Sequence, residues 1–297
     1  MITVRGLTKR YGGTVAVDGV SFDVRPGVVT GFLGPNGSGK STTMRLILGL
    51  DRPGAGTATV HGVPYRELTA PLRQVGALLD AKAVHGNRSA RRHLTWLARA
   101  GGIPVRRVEE VLDQVGLTAA ADRKVRGYSL GMFQRLGLAA ALLGDPPTLL
   151  LDEPVNGLDP DGVRQVRRLL LRLAAEGRTV LVSSHQMAEM QETAEHVLVI
   201  GRGRIVADTT LAELTREHGG GRVLVRTPEP ERLAAVLAGA GGEVLPGTDC
   251  RLDVGGLPAA AIGDAAAAAG ITLHELTPSR GSLEDAFLDL VGVGVAA

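Results

Sequence analysis

The chain has 297 residues, 44% hydrophobic and 22% charged, and its 33 lysines and arginines against 31 acidic residues leave a formal net charge of +2. That length holds one large domain and a small one with ample core, and the intermixed charges argue against a nucleic-acid groove or a charged tail. The lone Cys250 excludes an internal disulfide framework and suits a reducing compartment.

The start, MITVRGLTKRYGG, has no basic region followed by an apolar run, so no signal peptide is expected. No window approaches the roughly 18 to 20 uncharged apolar residues of a membrane span. The expectation is a soluble chain that reaches a membrane only through another subunit.

Residues 1–27 alternate as strands do, with a Gly12–Gly13 turn between MITVRGL and VSFDVRPG. VVTGFLG, Val28 to Gly34, reads as a buried strand that runs into a glycine-rich loop and the helix STTMRLILGL. TATVHGVPY resembles a further strand pair or edge. From Ala70 to Gly144 the pattern predicts mostly helix: SARRHLTWLARAGG, PVRRVEEVLDQVG and SLGMFQRLGLAAALLG, with Pro104 in a first turn and Gly116 at an end. TLLLD and TVLVSS are buried-strand runs separated by the helix PDGVRQVRRLLLRLAAEG, a βαβ unit with parallel strands. HVLVIGRGRIVA predicts a hairpin on Gly-Arg-Gly, and TTLAELTREH a closing helix.

The stretch from Gly219 to Arg222 reads as a linker. Beyond it the order strand, helix, strand, strand, helix, strand suits a small ferredoxin-like α+β unit, ending in a helix at SLEDAFLDLVG. The predicted domains are therefore 1–218, an α/β nucleotide-binding domain with a helical subdomain at about 70–144, and 219–297.

Gly34, Pro35, Asn36, Gly37, Ser38, Gly39, Lys40, Ser41 and Thr42 form a G-x-x-x-x-G-K-[ST] phosphate loop between a buried strand and a helix. Glycines let backbone N–H groups turn inward around phosphate, a lysine neutralises the β and γ oxygens, and the Ser41 hydroxyl can bind Mg²⁺. A plain glycine-rich turn leaves Lys40 unexplained. TLLLDEP puts Asp152 and Glu153 at a strand end, where one acid can hold the metal shell and the other polarise a water, although two acids there can also be a solvated turn. His185 ends the next strand and can donate a hydrogen bond to a γ-phosphate, or be structural. Tyr11 in KRYGG can stack on a base or pack a turn.

A second helix start also looks made for an anion. In GYSLGMFQRLGLA, Ser129 stands at the N-cap and Gly131 leaves the first-turn amides uncovered.

Taken in order, these residues resemble the ATP-binding cassette (ABC) ATPase family over about Met1 to Leu214. The resemblance makes Tyr11 the aromatic base-stacking residue, Gly34–Thr42 the Walker A loop and YSLGM at 128–132 the signature. It makes Asp152 and Glu153 the Walker B pair with the catalytic glutamate, Asp159 in NGLDP the D-loop acid and His185 the switch histidine. It also implies ATP and Mg²⁺ as ligands, and two cassettes paired head to tail so that Ser129 and Gly131 serve a neighbour's phosphate.

Two positions depart from the family pattern: Leu130 and Met132 replace Gly and Gln of the usual signature, and VGALLDAKAV puts Asp80 where a metal-binding glutamine is usual. Both departures, and the tail SLEDAFLDL, are similar to drug-exporter ATPases of the daunorubicin- and bacitracin-resistance type. The implied function is the ATPase subunit of an exporter of hydrophobic compounds, paired with an identical or related cassette and held at the cytoplasmic face by a separate membrane permease. The competing reading is a soluble ABC ATPase acting on ribosomes or nucleic acid. Against it, one cassette without long coiled coils is unlike the translation and repair members.

Overall fold

The computed structural model describes residues 1–218 and 222–278, together with Leu283, Phe287 and Leu290. The expected linker glycines at 219–221 and most of the closing helix from Ser282 lie outside the described residues. Two compact units divide the chain, Met1–Thr209 and Thr210–Ala297. That division falls ahead of the expected 218/219 boundary and leaves the helix Leu211–His218 with the second unit.

The first unit opens with an antiparallel hairpin, β1 (Ile2–Tyr11) and β2 (Thr14–Val24), in which Tyr11 faces Thr14 across the glycine turn. β3 (Val29–Leu33) is buried at every residue and leads through the glycine-rich loop into α1 (Lys40–Ile47). β4 (Ala55–Val60) pairs with β1, completing a three-stranded sheet in the order β2-β1-β4.

The region read as mostly helical begins differently. Val75–Leu78 is a strand, β5, paired in parallel with β6 (Thr148–Asp152). VGALL is too short an apolar run for periodicity to separate strand from helix, and the open flank of β6 decides it. The helices follow: α2 (Ala90–Ala100), capped by the Ser89 hydroxyl, α3 (Arg106–Gln114) and α4 (Leu130–Leu142).

After β6 come α5 (Pro160–Ala175) and β7 (Thr179–Ser184), the expected parallel βαβ unit. A helix that the pattern did not predict, α6 (Met187–Thr193), precedes β8 (His196–Gly201) and β9 (Arg204–Thr210). α6 can close on β3 because Gly31 has no side chain: a Cβ there would lie 3.2 Å from both Met190 Sδ and Ala194 Cβ.

The six-stranded sheet runs β5-β6-β7-β3-β8-β9, with β3 between β7 and β8, all three parallel. Its central strands are near-continuous apolar runs because both faces are covered. One face, with Phe32, Leu150, Leu181 and Leu198, packs on Met44 and Ile47 of α1 and on Ile2, Leu7 and Phe22 of the small sheet. The Phe22 and Phe32 rings meet at 5.8 Å. This packing seats α1 between two sheets and aims the end of β3 at the start of α1, which places the glycine-rich loop.

The second unit begins with α7 (Leu211–His218), followed by β10 (Val223–Arg226), α8 (Pro230–Gly239), β11 (Glu243–Pro246), β12 (Arg251–Gly255), α9 (Ala259–Ala268) and β13 (Glu275–Pro278). The strands form an antiparallel sheet in the order β11-β12-β10-β13, the arrangement expected of a ferredoxin-like βαββαβ unit. Val223, Val225, Leu252 and Val254 of the sheet pack on Leu233, Leu237 and Ile262 of its helices.

Candidate nucleotide site

The loop after β3 has its shape dictated by two glycines. A Cβ on Gly34 would lie 2.4 Å from the Ile200 carbonyl oxygen and 2.5 Å from Ser38 Oγ. Gly39 has φ +112°, and a Cβ there would lie 2.5 Å from the Ala16 carbonyl oxygen. Both therefore exclude every other residue. Gly39 also caps α1 with no side-chain acceptor, so the first-turn amides keep their donors for an anion. Gly34→Ala is expected to destabilise the fold by about 1–3 kcal/mol through overpacking and to weaken ATP binding at least tenfold, read by thermal denaturation and calorimetric titration.

Lys40, buried with 6% exposure, folds back across the loop and donates from Nζ to the carbonyls of Gly34 at 2.6 Å and Pro35 at 3.2 Å. Burial holds its ammonium below the usual lysine range, and the charges of Glu153 and Asp152 oppose that shift. Ser38 Oγ is buried with no hydrogen-bond partner among the described residues. An orphaned hydroxyl and a buried cation on one loop fit a polyanionic guest.

The loop opens on a cleft of about 210 Å³ lined by Ala16, Asn36, Gly37, Gly39, Lys40, Ser41, Thr42, Asp152 and Glu153. Across it, Ser41 Oγ donates to Asp152 Oδ2 at 2.5 Å. This juxtaposes a hydroxyl and a carboxylate from residues 111 positions apart, the hard oxygen pair that suits Mg²⁺.

Glu153 follows in the left-handed backbone region, with φ +49°. A non-glycine residue pays strain for that conformation, so the surroundings must hold it there. Its amide donates to Ser183 Oγ at 3.1 Å, its carbonyl accepts from Gln134 Nε2 at 3.0 Å, and its Oε2 lies 2.8 Å from His185 Nδ1. Ser183 Oγ also donates to Asp152 Oδ1, so one hydroxyl orients both acids. Nearby Glu189 has a buried oxygen without a hydrogen-bond partner among the described residues, and burial followed by the Glu153 charge pushes its carboxyl above the usual range.

Sequence reasoning missed Ser183, Gln134 and Glu189. The signal for Ser183 was a pair of serines in an otherwise apolar buried strand, TVLVSS; Gln134 was a buried polar residue on α4. Glu189 had no signal in the chain order.

The structure brings Lys40, Ser41, Asp152, Glu153 and His185 together, as the motif spacing predicts. The remaining candidates stand elsewhere. Ser129 is exposed and caps α4 by accepting from the Met132 amide at 3.3 Å. Gly131 lets the start of α4 approach the Gly157 carbonyl, which a Cβ would meet at 3.0 Å. Asp159 caps α5, accepting from the Gly162 amide at 3.0 Å. Neither Ser129, Gly131 nor Asp159 lines the cleft of its own chain. Tyr11 is 47% exposed and also lies outside the lining, with its phenol on Asp51.

Asp80 departs from the expectation of a metal ligand. Its carboxylate is exposed and turned into its own turn, where Oδ1 accepts from the Lys82 amide at 2.8 Å, and it does not line the cleft. A short acidic side chain bonds its own backbone two residues on more readily than it spans to a distant site. Gln74 does not substitute, since its Nε2 donates to the Thr69 carbonyl at 2.6 Å. Asp80→Gln is expected to leave the ATP dissociation constant within about twofold of the parent, because surface changes away from a site cost within about 0.5 kcal/mol; calorimetric titration reads it.

Comparison with known proteins decides the family. The sequence model of the family described as "ABC transporter" matches residues 17–156. The daunorubicin resistance ATP-binding protein DrrA3 of Streptomyces coeruleorubidus is 36% identical over 307 residues, covering 98% of this chain and 96% of that protein. The chain belongs to the ABC transporter family. The bacitracin transport ATP-binding protein BcrA of Bacillus licheniformis is 38% identical over 221 residues, 73% of this chain and 72% of that one. A solved ATP-binding subunit of an ABC transporter superposes with a TM-score of 0.67 at 27% identity, over 74% of this chain and 93% of that one. The chain is thus an ABC ATPase. Residues 221–284 match a model described as a domain of unknown function, DUF8746. No helix among the described residues is long and apolar enough to cross a membrane.

Proposed function

We propose that this ABC ATPase hydrolyses Mg-ATP between two paired cassettes and so drives the export of a hydrophobic, antibiotic-like compound through a separate membrane permease. The observation that carries the pairing is the separation of parts within one chain. Lys40, Ser41, Asp152 and Glu153 share a cleft, whereas Ser129 and Gly131 at the start of α4 do not line it. A second copy, or a related cassette, would present that helix end to the γ-phosphate. The export reading rests on relatives named for bacitracin transport and daunorubicin resistance. Nothing comparable favours a ribosome or nucleic-acid role.

In this reading the loop amides and Lys40 bind the β- and γ-phosphates, and Ser41 and Asp152 hold Mg²⁺, with Ser183 keeping the Asp152 carboxylate in place. The metal, when bound, neutralises charge that builds on the phosphate oxygens. Glu153 accepts the proton of the attacking water as the water oxygen bonds to the γ-phosphorus and the bond to the bridging oxygen breaks, releasing ADP and phosphate. His185 fixes the Glu153 carboxylate through Oε2 and reaches toward the γ-phosphate from its exposed side. Tyr11 takes the base. The small second unit, which begins at Thr210, supports the pairing, and the cassette sits at the cytoplasmic face through the permease.

The test is a tagged Glu153→Gln pull-down from native membranes with Mg-ATP, identifying what comes with it. A multi-span membrane protein is expected. Ribosomes or nucleic acid in its place would overturn the export reading.

A further inference from the structure

Tyr11 ends β1 at the glycine turn, an exposed place for a ring that has to present a flat face to a nucleobase. An exposed tyrosine would ordinarily sample several rotamers, and ordering it would be charged against binding. Here its phenol donates to Asp51 Oδ2 at 2.8 Å. Asp51 is in turn gripped by Arg45, whose Nε donates to Oδ2 at 2.7 Å and whose second guanidinium nitrogen reaches Oδ1 at 3.4 Å. Arg45 lies in the last turn of α1, the helix whose first residues are Lys40 and Ser41.

Four further contacts surround this arrangement. The Leu50 amide donates to the Arg45 carbonyl at 2.9 Å, so the chain carrying Asp51 is folded back on the end of α1. Lys9 is held by the Arg52 carbonyl at 2.7 Å and stands 5.0 Å from the centroid of the Tyr11 ring, over one face. Thr42, which lines the cleft, stands beside the same phenol.

We propose that Asp51, braced by Arg45, is a positioning residue for the nucleobase: it fixes Tyr11 to the phosphate-loop helix, with Lys9 on one ring face and the other face left for the base. The inference rests on the reading of Tyr11 as the base platform and adds what holds that platform. One rigid helix then carries both ends of the nucleotide site, phosphate recognition at its start and the anchor of the stacking ring at its end. The charge on Asp51 makes the phenol bond a strong one, and Arg45 supplies the two donors that keep the carboxylate from rotating. Stacking is worth about 1–3 kcal/mol per base but is realised in full only by a ring already in place.

The experiment measures dissociation constants of ATP and of inorganic tripolyphosphate, which has no base, on the full chain by calorimetry. Tyr11→Phe keeps the ring and removes the clamp; it is expected to weaken ATP about 3- to 10-fold, the scale of ordering one side chain, and to leave tripolyphosphate unchanged. Asp51→Ala should do the same, and should add nothing in the Tyr11→Phe background. Tyr11→Ala should weaken ATP further than Tyr11→Phe does.

If Tyr11→Ala weakens ATP while Tyr11→Phe binds like the parent, the clamp is refuted and the stacking reading survives. If Tyr11→Ala itself binds ATP like the parent, the base platform is refuted and the clamp with it. If Asp51→Ala weakens ATP and tripolyphosphate equally, Asp51 acts through the fold of α1, and the positioning role is refuted.

Discussion

Glu153→Gln is expected to bind ATP with near-parent affinity while losing turnover by about 10²- to 10⁴-fold, the usual scale for removing a general base. The substitution keeps the size of the side chain and every backbone contact that holds residue 153 in its left-handed conformation, namely the amide to Ser183 and the carbonyl from Gln134. It removes the basic lone pairs that would take the proton of water. Because the phosphate loop is untouched, the nucleotide stays bound. With hydrolysis blocked, the paired state should accumulate, appearing as an ATP-dependent dimer on size-exclusion chromatography. Single-turnover kinetics separate this from a defect in binding. Parent-like hydrolysis by Glu153→Gln would remove Glu153 from the role of base and pass the proton to another acceptor, such as the Asp152 carboxylate that lines the same cleft.

Lys40→Ala is expected to fail one step earlier, with ATP affinity falling about 100-fold or more, since each charge-assisted hydrogen bond contributes roughly 1.5–3 kcal/mol. Lys40 is the one lysine or arginine buried among the described residues, and it faces two carboxylates across the cleft. Without it, Asp152 and Glu153 meet the polyphosphate with no opposing side-chain charge. The variant should also melt somewhat earlier than the parent, because the Gly34 and Pro35 carbonyls lose their donor. Calorimetric titration reports the affinity, and circular dichroism confirms that the fold persists. Retained submicromolar ATP binding in a folded Lys40→Ala protein would show that the loop amides alone bind the phosphates.

Much of the fold and of the site was legible because its signals are local. Val29–Leu33, Thr148–Asp152 and Thr179–Ser184 are apolar runs buried on both faces, and such burial leaves its mark residue by residue. The loop from Gly34 to Thr42 is a contiguous backbone device, and its glycine spacing is the structure itself. The βαββαβ order of the second unit was equally plain, since each strand and helix has its own period. Where the local signal was short or two-valued, reading failed: β5 went unnamed inside a region read as mostly helical, and α6 was hidden between two strands because its seven residues carry little periodicity.

Chain order was least informative about partners. Asp80 matched a metal-ligand position by alignment with a family pattern, yet its carboxylate closes its own turn. Tyr11 and Asp51 are 40 residues apart, Gln134 and Glu153 are 19 apart, and Ser183 reaches the two acids from 31 and 30 residues away. Those contacts exist because β6 and β7 are neighbours and α1 lies between two sheets, a crossover order that no periodicity encodes. The sequence by itself determined most of the elements and the phosphate loop, because hydrophobic period and glycine spacing act within a few residues. Only the tertiary structure decided which hydroxyl steadies which acid, which carboxylate closes its own turn and what holds the Tyr11 phenol, because hydrogen bonds reach about 3 Å and depend on which strands the packing makes adjacent.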